Sequence, residues 1–319
     1  MNKVGTLVGC AIGDALGNPF EMKRASYQPL VDWNGSFKDG GTFWKGKAGQ
    51  YTDDTMMSVA LAESIIANNG FDPDHVAQSY LNWYNGPNTR GMGSTTALAM
   101  KNLKRGATWQ QSGIARYNGL PAAGNGTAMR ASPIGLLYRN FDASVLTITA
   151  ETDAIITHNS VEAKDASKAV VFAHALIANG KTRKDYLIID ILPFLQAGVV
   201  KDTLTRALYH LNDNTVPDVA LRDLATTGNM GYVPETVASA FFCFGASASF
   251  KECVVMSIKC GGDTDTTAAV AGALLWRWWR RRGWQCHINS KLIVCTFRFR
   301  RKWWKRISLC YICRLKEGL

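Results

Sequence analysis

Long hydrophobic runs are missing from this chain: no stretch approaches the roughly 18 apolar residues that span a membrane. The apolar run before Asp14 is short, and no positive segment with a cleavage site frames it, so a secretory signal is not expected. Period-two alternation is scarce, which argues against a sheet-based fold. Repeats and low-complexity stretches are also absent, which excludes solenoids and leaves a globular core. These absences point to a cytoplasmic, reduced protein whose cysteines are not disulfide-forming. Cys10, Cys243, Cys253 and Cys260 sit in apolar stretches and read as small core residues.

Net charge is +11, but its distribution is uneven. From Arg277 onward there are 13 Lys and Arg and a single acid, Glu317, leaving 23 basic and 24 acidic side chains in residues 1–276. The body is nearly neutral, so nucleic acid is expected to be a partner only through the tail. Residues 277–319 are a basic Trp/Arg/Cys-rich segment, and Trp, Arg, Cys and Gly are what G-rich codons give out of register. A frameshifted end is one reading; a basic-aromatic arm is the other. Cys310 and Cys313 form a lone CxxC, which without a second pair does not specify a zinc or redox site.

Residues 1–276 read as one all-α domain, a compact orthogonal helical bundle. Helical spacing predicts helices over 4–16, 55–68, 73–84, 95–103, 143–157, 160–179, 184–197, 202–211, 233–244, 250–259 and 263–275. Asn69-Gly70 supplies a stop, and Asp72-Pro73 a cap and first turn.

Two acidic clusters stand out, Thr52-Asp53-Asp54-Thr55 and Asp263-Thr264-Asp265-Thr266-Thr267, each beside an apolar helix. Either could be an ordinary helix cap. Asp, however, is rarely buried unless paired or bound to a metal, and oxygen-only donors select a hard ion such as Mg²⁺ or Mn²⁺. Gly261-Gly262 ahead of the second cluster lets the backbone approach a ligand closely. A binuclear site assembled from distant segments is therefore expected.

The segments GCAIGDALGNPFE (9–21), YTDDTMMSVALAESI (51–65), GNGTAMRASPIG (124–135), THNSVEAKDAS (157–167) and GGDTDTTAAVAGAL (261–274) occur in this order. Together they resemble the ADP-ribosylglycohydrolase family, up to about Leu275. The resemblance implies an all-helical fold with two Mg²⁺ or Mn²⁺ ions and hydrolysis of the bond between ADP-ribose and an acceptor. The substrate would be an ADP-ribosylated protein or a small ADP-ribose conjugate, acted on by a monomer. It also implies that Thr52, Asp53 and Asp54 hold one metal, and that Asp263 and Thr266 hold the other with Asp265 bridging. Glu21 and Asp54 are then the acid/base candidates. Gly124, Asn125, Gly126, Thr127, Met129 and Arg130 would cradle the diphosphate and ribose, with His158 and Tyr232 lining the cleft. Each has a plainer reading: Glu21 as a surface carboxylate, His158 as a cap, Asn125-Gly126 as a turn, Arg130 paired with a structural carboxylate, Tyr232 as core. One departure is visible. Several family members carry an Asp-Ile-Gly-x-Thr segment, whereas the comparable stretch here is Gly91-Met92-Gly93-Ser94-Thr95-Thr96, without the carboxylate. This weakens an arginine-specific mechanism. The alternative to an enzyme is a non-catalytic relative with a structural role, like the lens crystallins of this fold.

Overall fold

In the computed structural model, residues 4–181 and 187–279 are described, together with two short strands, Cys286–Asn289 and Leu292–Cys295. The rest of the basic tail, and with it the frameshift reading, lies outside the described residues. Among the described residues fifteen α-helices carry the fold. They are α1 (Val4–Gly17), α2 (Gln28–Val31), α3 (Asp53–Ala67), α4 (Pro73–Tyr84), α5 (Ser94–Lys104), α6 (Trp109–Ser112), α7 (Ser132–Leu137), α8 (Ala143–Ile155) and α9 (Val161–Ala178). Then come α10 (Leu187–Ile191), α11 (Val199–Asn212), α12 (Pro217–Leu224), α13 (Val233–Ala246), α14 (Phe250–Lys259) and α15 (Thr264–Trp279). Among the described residues strands are two to four residues long and pair only two by two. No helix of the described residues is long and apolar enough to cross a membrane.

Ten of the eleven expected helices appear within a few residues of their sequence bounds. The exception is the stretch expected at 184–197, of which 184–186 lie outside the described residues. There α10 ends at Ile191 and a 3₁₀ turn, Leu192–Phe194, follows, because Pro193 brings no backbone N–H to continue the ladder. The short helices α2, α6, α7 and α12 were too brief for a periodic signal to show.

The centre of the bundle is α1 against α15. Gly9, Gly13 and Gly17 recur at four-residue spacing and so share one face of α1. A Cβ on Gly13 would sit 2.0 Å from the Ala268 carbonyl oxygen, and one on Gly17 2.4 Å from the Asp265 Cα. On the other helix, a Cβ on Gly272 would lie 2.5 Å from the Gly9 carbonyl oxygen. The two backbones therefore touch without intervening side chains. Thr264 Oγ1 locks the contact by donating to the Gly17 carbonyl at 2.8 Å. Helix α13 packs on α15 from another side with Phe241, Phe242 and Phe244 fully buried. A Gly13→Ala substitution is expected to push α1 off α15 and to destabilise the protein by about 1–3 kcal/mol, as overpacked cores do. Thermal unfolding checks this; an unchanged midpoint would show that the helices separate freely.

Candidate metal and substrate cleft

The helix contact places Asp14 of α1 beside the N-terminus of α3. Both Asp14 oxygens are fully engaged: they accept from the Thr52 N–H at 2.9 Å, Thr52 Oγ1 at 2.9 Å, the Thr55 N–H at 3.1 Å and Thr55 Oγ1 at 2.5 Å. Asp14 thus caps α3 from a distance, satisfying N–H groups that have no partner within their own helix. The residue in the local capping position, Thr52, makes no side-chain cap bond to its own helix. With the cap supplied from outside, Asp53 and Asp54 are released from that task, and both are buried.

The second cluster is built differently. Asp263 does cap its helix, since Thr266 N–H donates to Oδ1 at 3.3 Å, and Thr267 Oγ1 donates to its carbonyl at 2.7 Å. Its other oxygen, Oδ2, accepts from Asn125 Nδ2 at 2.9 Å. Asp265 lies one residue into α15 and faces the first cluster: carboxylate oxygens of Asp14, Asp54 and Asp265 all lie within 4.8 Å of one another.

Burial, then the facing carboxylates, pushes Glu21 up to about 8, and burial with Asp14 and Asp263 pushes Asp53 to about 8. Burial raises Asp14 to about 6 against the pull of its hydrogen bonds. Asp54 and Asp265 are raised well above the usual carboxylate range, by burial first and by their acidic neighbours second. Among the described residues no ion pair reaches any of these acids. Two oxygens, Asp54 Oδ1 and Glu21 Oε2, are buried without any hydrogen-bond partner. Unpaired buried carboxylate oxygens are costly. An all-oxygen set of this kind suits a hard divalent cation rather than zinc or copper.

The acids form the floor of a cleft of about 390 Å³. Glu21, Asp53, Asp54, Asp263, Asp265 and Thr266 line it together with Gly124, Asn125, Gly126, Met129 and His158. The glycine loop is clamped on both flanks. Asn125 N–H donates to the Gly231 carbonyl at 3.1 Å, and Asn125 Nδ2 ties the loop to Asp263. Glycine is needed at 124 and 126 because the His158 ring lies against both: an added Cβ would meet it at 2.9 Å in each case. Gly91, at φ +77°, brings a third loop so near that a Cβ would sit 2.6 Å from Asp53 Oδ1.

Three of the residues assigned to substrate contact stand back from the cleft. Arg130 is fully buried and does not reach it. Its guanidinium pairs with Asp153 at 3.0 Å and donates to the Gly126 carbonyl at 2.9 Å and Thr157 Oγ1 at 2.8 Å. It therefore supports the loop from beneath, and the plainer expectation of a structural carboxylate partner describes it. Thr127 is likewise buried, with its hydroxyl on the Ala163 carbonyl at 2.9 Å. Tyr232 bridges to Gly124 through its backbone, and its side chain packs against the core. Thr52, expected as a ligand, is buried with its hydroxyl on Asp14 and, at 3.2 Å, on Asp54 Oδ2. His158 faces the cleft as a neutral ring: burial and then the nearby Arg130 charge hold it down at about 3, so it is no proton donor near neutrality.

Asp14 and the Asn125–Asp263 bond escaped the sequence reading. The only signal for Asp14 was a lone acid inside a small-residue helix, Gly9–Gly17, where an exposed carboxylate has no reason to be.

Comparison with known proteins agrees with this architecture. The family model for ADP-ribosylglycohydrolase matches residues 2–275. An uncharacterised protein of Archaeoglobus fulgidus is 30% identical over 270 residues, 84% of each chain. The ADP-ribosylarginine hydrolase Tri1 of Pseudomonas putida is 27% identical, over 90% of this chain and 75% of its own. Human ADP-ribosylhydrolase ARH3 is 26% identical, over 85% of this chain and 83% of its own. A solved structure described as an ADP-ribosylglycohydrolase-related protein complex superposes with a TM-score of 0.63 and 28% identity, covering 87% of both chains. With the match running through nearly all the described helices and every acidic segment of the cleft, the chain belongs to the ADP-ribosylglycohydrolase family.

Proposed function

We propose that this protein is a divalent-metal-dependent hydrolase that releases ADP-ribose from an acceptor. The observation that carries the reading is the pair of partnerless oxygens, Asp54 Oδ1 and Glu21 Oε2, in a cluster of buried acids that lacks a protein cation. Asp53, Asp54, Asp263 and Asp265 would hold two Mg²⁺ or Mn²⁺ ions, with the Thr52 and Thr266 hydroxyls beside them. The chemistry supplied by ions bound there would be polarisation of a sugar oxygen and a lowered pKa for water.

The chain's own residues supply the rest. Asp14 fixes the helix that carries Asp53 and Asp54. Asn125 fixes Asp263. The Gly124 and Gly126 N–H groups, on either side of the Asn125 N–H that the Gly231 carbonyl holds, would meet the diphosphate. Water adds to C1″ of the ribose and the acceptor leaves with a proton, through a transition state with positive charge on the sugar. Glu21 would serve that proton transfer: the Phe43 N–H donates to its carboxylate and its other oxygen is unpartnered.

The reading is tested by a panel of ADP-ribosylated substrates (arginine-, serine- and ester-linked) assayed with Mg²⁺ and with Mn²⁺. Release of free ADP-ribose that a chelator abolishes is the expected result. No release from any member would leave the non-catalytic alternative.

Metal binding carries its own pH signature. A buried acid with a raised pKa stabilises the metal-free fold at low pH and loses that contribution as pH rises through the folded value. For Asp53 the loss extends to about 8. Metal must displace that proton. The gain in melting temperature on adding Mn²⁺ should therefore be larger at pH 8 than at pH 6. Equal gains at both would refute the proposed ligand set.

A further inference from the structure

A second cavity, of about 590 Å³, opens between α3, α4 and the loop that follows α4, and it shares no lining residue with the acidic cleft. Met56, Val59 and Ala60 of α3 and Trp83 of α4 give it an apolar lining. The loop is tied down by Thr89, whose hydroxyl donates to the Trp83 carbonyl at 2.7 Å and to the Gly86 carbonyl at 3.1 Å. That fixes the next residue, Arg90, on the cavity wall. Cavities of this size, mostly apolar with a few placed polar groups, are the common form of small-molecule sites.

Arg90 is held without being neutralised. Its Nε donates to the Tyr51 carbonyl at 2.6 Å, and its Cζ lies 4.6 Å from the Trp44 ring centroid and 5.2 Å from that of Tyr51. It makes no ion pair among the described residues, and Asp14 acts on its charge only from beyond ion-pair distance. Its two terminal nitrogens find no hydrogen-bond acceptor among the described residues. A partly buried guanidinium with its fork unmet suits a planar anion, because that fork matches the two oxygens of a carboxylate. A second donor is poorly served as well. Trp83 Nε1–H is met by the Met56 thioether at 3.3 Å, a weak acceptor.

The other ionisable groups limit the ligand further. Glu63 is the carboxylate of the lining, ten residues beyond Asp53 and so about 15 Å along the axis of α3. Arg90 is tied to Tyr51, ahead of the start of that helix. His75 is engaged by the Ser64 hydroxyl at 2.6 Å. A second anionic group reaching toward Glu63 would be repelled, so the charge of the ligand belongs at one end. The rest lies along Met56, Val59, Ala60 and the ring of Trp83, which favours an apolar body with a ring of its own. We infer that this cavity binds a small aromatic monocarboxylate, with its carboxylate on Arg90. The inference does not depend on hydrolysis in the cleft.

The test is titration calorimetry of the full chain, in chelator, with cinnamate and with cinnamamide as its uncharged match. Wild type should bind the acid about tenfold or more tightly than the amide, as hydrogen bonds between charged groups allow. Arg90→Met should weaken cinnamate binding about tenfold or more. Ala60→Phe, which fills the cavity and keeps the charge, should weaken it by at least as much and decides the matter if Arg90→Met does not fold. Asp54→Asn, in the cleft, should bind cinnamate within about twofold of wild type, as separate sites do. Thermal unfolding confirms that each variant is folded. Four outcomes would each overturn the inference: no binding by wild type, equal affinity for acid and amide, unchanged affinity in Arg90→Met or Ala60→Phe (binding then belongs elsewhere, as in residues 277–319), or a loss in Asp54→Asn, which would put the probe in the cleft. Failure of the hydrolase reading would show separately, as absent ADP-ribose release with cinnamate binding intact.

Discussion

Asp54→Asn should abolish turnover while making the metal-free protein more stable. Asp54 is buried among Asp14, Asp53 and Asp263, and Oδ1 has no partner. In the folded chain its ionised form is opposed by burial first and by those neighbours second. A neutral amide of the same size removes that opposition. The sign follows from linkage: an acid whose folded pKa is raised costs stability once the pH exceeds its unfolded value. The variant's melting temperature in chelator should therefore exceed that of wild type, most clearly at pH 8. Mn²⁺ should then give it little or no further gain. Metal-assisted polarisation of a reacting oxygen is worth several kcal/mol, and each 1.36 kcal/mol is tenfold, so the expected loss is about three orders of magnitude or more. Calorimetry and an ADP-ribose release assay read the two effects independently. Retained turnover in a variant that still gains stability from Mn²⁺ would remove Asp54 from the metal set.

Arg130→Met should cost about 3–5 kcal/mol of stability, the usual consequence of stranding one member of a buried ion pair. Arg130 and Asp153 are both 0% exposed. Asp153 Oδ2 has only Arg130 as its charged partner at 3.0 Å, and Oδ1 accepts from Tyr80 OH at 2.6 Å. The guanidinium also lies 4.8 Å from the Tyr80 ring centroid and donates through Nη2 to the Asp153 carbonyl at 2.8 Å. Methionine fills much of the space but offers no donor, so a carboxylate and three further acceptors lose their partner. Arg130→Met combined with Asp153→Leu should recover a large part of the loss, since replacing both members removes the stranded charge. Urea unfolding of the single and double variants decides it; a single variant within about 1 kcal/mol of wild type would show that water or Tyr80 already satisfies Asp153. The Gly126 carbonyl loses its donor too, and the residual activity should show a raised KM rather than a lowered kcat.

The long helices were legible because their apolar spacing and terminators are local. Asp72-Pro73 starts α4 at the expected residue, and Asn69-Gly70 stops α3 within two residues. The acidic clusters were legible because two Asp with several Thr exceed what a cap requires. What makes the site work was not local. Asp14 meets Thr52 and Thr55 across 38 and 41 residues, and Asn125 meets Asp263 across 138. No periodicity records such pairings. The basic stretch between Met22 and Gln50 was hidden for the opposite reason: averaging charge over residues 1–276 cancelled it.

The contact of α1 with α15 joins the first and last helices of the described body, and it is there that Asp14 and Asp265 meet. An ion held by Asp54 of α3 and Asp265 of α15, beside that seam, would be a clasp closing a loop of about 210 residues, and the entropy of closing such a loop grows only slowly with its length. Loading the clasp resists opening of the whole body rather than of one loop. Metal occupancy should therefore slow global unfolding, protecting the deep amides of α1 and α15 from hydrogen exchange together, as one cooperative unit.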